Sequence, residues 1–124
     1  MGSPPAGDLK SVGVPTLIAD QVYHAAAVTG PSPGEWRGLH LPSLPGRILV
    51  DGEERSNGKG ADLLGHPMNV LAWLAGSSLA AAFGGLRAGQ LIMLGSVTPP
   101  IWLTGPCQVT VVFDGLPPAE LRFR

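Results

Sequence analysis

Hydrophobic positions follow two periods along this chain, and the change of period sets its elements. From Gly58 to Gly85 the period is helical: Met68, Leu71, Ala72, Ala75, Leu79, Ala82 and Phe83 recur at spacings of three and four. That spacing predicts one principal helix, about 67–83, with an apolar face laid against a sheet. Pro67 suits the first helical position, where its missing N–H has no intrahelical partner to lose. Gly84-Gly85 supplies the left-handed backbone with which helices end.

Elsewhere the pattern is that of strands and turns. Pro15 to Val28 is rich in β-branched and aromatic residues and predicts a strand, with Asp20 and His24 on one face. Thr29 to Pro45 reads as a long Pro-rich loop anchored by Trp36. Asp51-Gly52 predicts a hairpin within Arg47 to Lys59, with a second turn or bulge at Asn57-Gly58. Gln90 to Leu94 is a continuous apolar run that predicts a buried strand, leading into the loop from Gly95 to Pro100. Gln108 to Phe113 and Ala119 to Phe123 flank Asp114-Gly115-Leu116-Pro117-Pro118 as a closing hairpin. Met1 to Gly13 lacks periodicity and predicts a flexible leader, leaving 14–124 as a single domain. The fold class expected is α+β, mainly β: a compact roll or barrel-like sheet packed on one helix.

Composition narrows the function classes. A chain of 124 residues with 14% charged residues and a net charge of −1 carries no basic patch, so nothing points to nucleic acid. The helix is too short and too rich in Gly, Ser and Asn to span a bilayer, so no membrane partner is expected. The single cysteine, Cys107, excludes an internal disulfide and a cysteine-based zinc cluster, and supports a cytoplasmic setting. The absence of GxSxG, P-loop, dinucleotide-binding and HExxH motifs argues against serine hydrolase, NTPase, Rossmann dehydrogenase and zincin.

The candidate chemistry is sparse. On one strand face, Asp20 would orient His24 and raise its basicity for proton transfer, the competing reading being a structural histidine. His66 precedes the helix start, where backbone N–H groups and the dipole favour a carboxylate or enolate oxygen, with Asn69 as a further donor one turn in. Ser96 and Thr98 form a hydroxyl pair at a loop stiffened by Pro99-Pro100, suited either to a small polar substrate or to satisfying the turn itself. Glu53 and Glu54 point to opposite strand faces and do not make a chelate pair, and Cys107 has no evident base beside it.

Three segments carry a family likeness: GKGADLLGHPMNVLAWLAG, LRAGQLIMLGSVTPP and a final strand pair ending in LRFR. In order and spacing they resemble the C-terminal half of the 2-oxopent-4-enoate (2-hydroxypentadienoate) hydratases, within the fumarylacetoacetate hydrolase superfamily. The segments IADQVYHAAAVTG and LVDGEERSNGKG look like that family's strand and hairpin upstream of the helix. The resemblance implies an oligomeric β roll and a lyase that adds water to an unsaturated 2-oxo acid. It also implies substrate contacts at Gly95, Ser96 and Thr98. The family's magnesium is held by a Glu-x-Glu pair and a further acidic residue upstream, and those positions have no counterpart here.

The expectation is therefore a shortened, metal-independent hydratase-like enzyme with no cofactor, magnesium entering only for a conventional hydratase. It would perform hydration, isomerisation or cyclisation on a carbonyl-containing, hydrophobic small molecule. Asp20 and His24 would be the catalytic pair, and His66, Asn69, Gly95, Ser96 and Thr98 would bind substrate. A homo-oligomer, most simply a dimer, is the expected assembly; the alternative is a non-catalytic subunit that completes or regulates a full-length hydratase.

Overall fold

The computed structural model describes residues 13–19 and 21–124; Asp20 and the expected leader up to residue 12 lie outside the described residues. Four strands form one antiparallel sheet: β1 (Pro45–Val50), β2 (Glu53–Lys59), β3 (Cys107–Phe113) and β4 (Ala119–Phe123), in the order β2-β1-β3-β4. The architecture is α+β, as expected, with a sheet and few helices.

Both hairpins stand where the turn residues place them. Asp51 and Gly52 both take positive φ, at 50° and 84°, the geometry of the primed turn whose twist matches the strands it joins. Gly115, at φ 79°, serves the loop between β3 and β4. The irregularity expected at Asn57-Gly58 lies elsewhere. β2 runs unbroken through that pair, and the register shifts between Ile48 and Leu49, where Ile48 faces Ser56 but Leu49 faces Glu54. Arg55 is the extra residue of that bulge.

Strand alternation gives the sheet one apolar face. Gly46, Ile48 and Val50 stand opposite Phe113, Val111 and Val109, and the last two stand opposite Ala119 and Leu121 of β4. Of these, Ile48, Val50, Val109, Val111, Ala119 and Leu121 floor a groove of about 300 Å³, which Val28, Ile101, Leu103 and Phe123 help to line. No residue of the helical segment 67–83 lines it, so the expected helical plug over the sheet is not the arrangement found.

The helical segment is also divided. α2 (Pro67–Ala75) ends at Gly76, and α3 (Ser78–Ala82) begins after Ser77, whose hydroxyl accepts from the Ala80 N–H at 3.1 Å and donates to the Leu74 carbonyl at 2.6 Å. Gly-Ser here outweighs the apolar period, because glycine is a poor helix former and serine a strong N-cap. The less exposed side is Pro67, Val70, Leu71 and Leu74, which shares only Leu71 with the expected face. Trp73 is 69% exposed and Phe83 82%. The end at Gly84-Gly85 is as expected: both are left-handed, and the Gly85 N–H reaches the Ala80 carbonyl at 2.7 Å.

Two predicted strands are absent among the described residues. Within Pro15 to Val28 the chain forms a short helix, α1 (Val14–Ala19), and a 3-10 turn over Gln21–Tyr23. Pro15, locked at a helical φ, sits in the first turn of α1, and Gln21 and Val22 take positive φ, which no strand accommodates. Gln90 to Leu94 forms no strand: Ile92 and Leu94 are half-buried and Leu91 and Met93 exposed, so an alternation survives with no neighbouring strand to pair with among the described residues.

Candidate functional site

A second crevice, of about 310 Å³, opens between the Pro-rich segment, the start of α2, residues 94–97 and one end of the sheet. Its walls are Pro33, Trp36, Leu41 and Leu44, then Gly60, Leu63, Pro67 and Met68, then Leu94, Val97, Phe113 and Leu116. Glycines allow this convergence. A Cβ on Gly58 would collide with the Val97 carbonyl oxygen, and one on Gly60 with the Leu41 carbonyl oxygen. Asp62 fixes the turn between them, its carboxylate accepting from the Lys59 backbone N–H at 2.8 Å.

None of the five residues predicted to bind substrate lines this crevice: His66 and Asn69 are chain neighbours of its lining residues Pro67 and Met68, and Gly95, Ser96 and Thr98 of Leu94 and Val97. Gly95, at φ 109°, sits against Leu63, whose Cδ2 lies 3.4 Å from where a Cβ would stand. The Ser96 hydroxyl donates to the Thr98 carbonyl at 2.7 Å and lies 3.2 Å from both the Thr98 N–H nitrogen and Oγ1. Thr98 is only 9% exposed, so the pair is held together and its hydrogen bonds are made within the turn. His66 caps α2, with Nδ1 accepting from the Met68 N–H at 3.0 Å, and Asn69 donates to the Leu64 carbonyl at 2.8 Å. The helix start thus already carries a ligand of its own, the imidazole.

The expected catalytic pair is not assembled on a strand. Asp20 lies outside the described residues, and His24 is exposed in the irregular segment after the 3-10 turn. The crevice walls themselves hold no titratable side chain, so the cavity offers apolar contact. Sequence reading missed the walls that Trp36 and Phe113 supply jointly, because residues 77 positions apart carry no local signal of contact. Trp36 was recognisable only as an anchor; its indole also carries the Arg37 guanidinium 5.0 Å from the ring centroid.

A divalent cation needs several oxygen or nitrogen ligands converging on one point. Among the described residues no group of three or more His, Cys, Asp or Glu does so. These residues therefore do not make a magnesium site by themselves.

The geometry can be set beside known proteins. No family model matches the sequence. A 2-keto-4-pentenoate hydratase from Burkholderia vietnamiensis is 31% identical over 106 residues, 86% of this chain and 40% of that protein. A 4-oxalocrotonate decarboxylase from Pseudomonas putida is 30% identical over 108 residues, 87% of this chain and 40% of that protein. In three dimensions the chain is similar to 4-oxalocrotonate decarboxylase from Pseudomonas putida G7 complexed with calcium and acetate, with a TM-score of 0.61 and 33% identity over 69% of this chain and 33% of that one. The chain belongs to the family of the 2-keto-4-pentenoate hydratases and 4-oxalocrotonate decarboxylases, and spans about two fifths of the length of the curated relatives it matches.

Proposed function

We propose that this chain takes part in hydratase-type lyase chemistry on a small unsaturated 2-oxo acid, using the apolar crevice to hold the carbon chain. The observation that carries the reading is the convergence of segments 63–69 and 94–98 on one crevice, in a chain kin to hydratases. Hydration moves a proton to one carbon of the double bond and adds the oxygen of water to the other. The intermediate enolate needs donors aimed at its oxygen, each of which is worth a few kcal/mol when preorganised. Ser96 and Thr98 would supply the hydroxyls, Ser96 turning its O–H from the Thr98 carbonyl to the substrate. His66 and Asn69 would serve the carboxylate end, and Asp20 and His24 the proton transfers. A carboxylate substrate agrees with the relative from Pseudomonas putida G7, which is also known complexed with magnesium and adipate. The finer form of the fold, a roll closed into a barrel-like sheet, belongs to the same proposal.

Metal independence is proposed as well, since the described residues offer no ligand set for a divalent ion. Calorimetric titration with magnesium chloride is expected to show no stoichiometric uptake; one ion per chain would overturn that part. The activity test follows loss of the conjugated absorbance of 2-hydroxypentadienoate with the purified chain, with and without magnesium. Turnover above buffer is expected, falling about a hundredfold on Ser96→Ala with Thr98→Val. No turnover under either condition would reject the catalytic reading, and unchanged turnover in His24→Ala would remove that histidine from it.

A second reading is favoured by the exposed apolar side chains of the helical segment, Trp73, Leu79 and Phe83. In it the chain is a non-catalytic subunit that completes a longer hydratase. Co-purification with a co-expressed full-length relative, lost on Trp73→Lys with Phe83→Lys, is the expected outcome.

A further inference from the structure

The outer strand of the sheet has a sequence that complements itself. Among the described residues β4 is an edge, hydrogen-bonded to β3 on one side and to no strand on the other. Residues 28–30 pass beside its beginning, with Gly30 against the Pro118 carbonyl, and no backbone hydrogen bond joins them to the strand. An exposed edge with free N–H and C=O groups is a template for another strand, unless it is blunted by charge or proline. Here the charges are of opposite sign and symmetrically placed: Glu120 and Arg122 flank Leu121.

We propose that β4 pairs antiparallel with β4 of a second copy of this chain, about a two-fold axis at Leu121, making one sheet continuous across both copies. That register sets Glu120 of each copy opposite Arg122 of the other, twice over by symmetry. It sets the small Ala119 opposite the large Phe123 and Leu121 opposite itself. Side chains opposite one another project from the same face, so Ala119, Leu121 and Phe123 of both copies join their apolar grooves side by side. Leu121 is 40% exposed and Phe123 42%, which is apolar surface for the pairing to cover. Among the described residues Arg122 makes one side-chain hydrogen bond, to Gln108 Oε1 at 3.2 Å, and its other N–H groups suit the partner's carboxylate. A five-residue strand pair is a small interface, so the dimer is expected to be weak, with dissociation roughly in the micromolar range.

The inference does not rest on the catalytic proposal, and charge reversal tests it alone. Sedimentation equilibrium of the full chain is compared among the parent, Glu120→Arg, Arg122→Glu and the double exchange, with circular dichroism confirming the fold of each. The parent is expected to dimerise. Either single reversal opposes two pairs of like charges and is expected to raise the dissociation constant about tenfold or more. The double exchange restores both opposite pairs and should return the dimer to near parent affinity. A chain monomeric throughout, single reversals without effect, or a double exchange that fails to recover would each overturn the pairing. So would a dimer that Trp73→Lys with Phe83→Lys abolishes while Glu120→Arg leaves it intact, since that dimer would use the helical face.

Discussion

At Gly60 the absence of a side chain is a packing requirement. The residue is buried, and a methyl there would run into the Leu41 carbonyl oxygen, part of a backbone that cannot rotate aside as a side chain can. Gly60→Ala is therefore expected to cost about 1–3 kcal/mol, the usual range for overpacking. Gly34 has nothing within 4 Å of its Cβ position and no positive φ, so Gly34→Ala is expected to be neutral or to stabilise by about 0.4–1 kcal/mol through the unfolded chain. Urea denaturation of the two variants checks the pair; equal effects would mean that the approach at Leu41 is not tight. Single residues also show how far the candidate site was legible. The i, i+2 spacing of Ser96 and Thr98 was enough to place their hydroxyls together. What the spacing could not reveal was that their hydrogen bonds are spent on each other, nor that His66 puts its own imidazole where an external anion was expected. Those outcomes depend on rotamers, which local sequence leaves open.

Among elements, those whose signal is local were readable and those whose signal is tertiary were not. Asp51-Gly52, Pro67 and Gly84-Gly85 act within a few residues of themselves, and each hairpin and helix end stands where they put it. Pro15 to Val28 and Gln90 to Leu94 have the residue types of strands, but a strand exists only with a neighbour to hydrogen-bond, and nothing local specifies one. The division of the helix was misread because an apolar period of three and four continues across Gly76-Ser77 although the backbone does not. Ser77 holds that break from both sides, capping α3 and bonding the end of α2. Ser77→Ala is expected to cost about 1 kcal/mol, and Ser77→Asp, which keeps an acceptor at the N-terminus of α3, to recover most of it. Thermal unfolding by circular dichroism reads the difference. If alanine is harmless, the hydroxyl is not what holds the two helices apart.

The molecule as a whole is thinly buried. Among the hydrophobic side chains of the described residues only Val50 and Ala80 fall below one-tenth exposed, and no large side chain is completely enclosed. Burial is the dominant favourable contribution to folding, and conformational entropy opposes it at every residue, so the pairing proposed for β4 would add stability by covering apolar surface. Under that proposal folding and association are linked, and stability is expected to depend on concentration. Each tenfold increase in chain concentration adds about 1.4 kcal/mol per dimer, which against an unfolding entropy of about 2.1 cal/mol/K per residue moves the midpoint by roughly 3 °C. Calorimetric scans across a hundredfold range should therefore separate by several degrees, and Glu120→Arg should lower the midpoint at fixed concentration while flattening the dependence at its dilute end. A midpoint independent of concentration in the parent would show that the monomer folds alone, and that the apolar groove and the helical face are tolerated in water without help from a second copy.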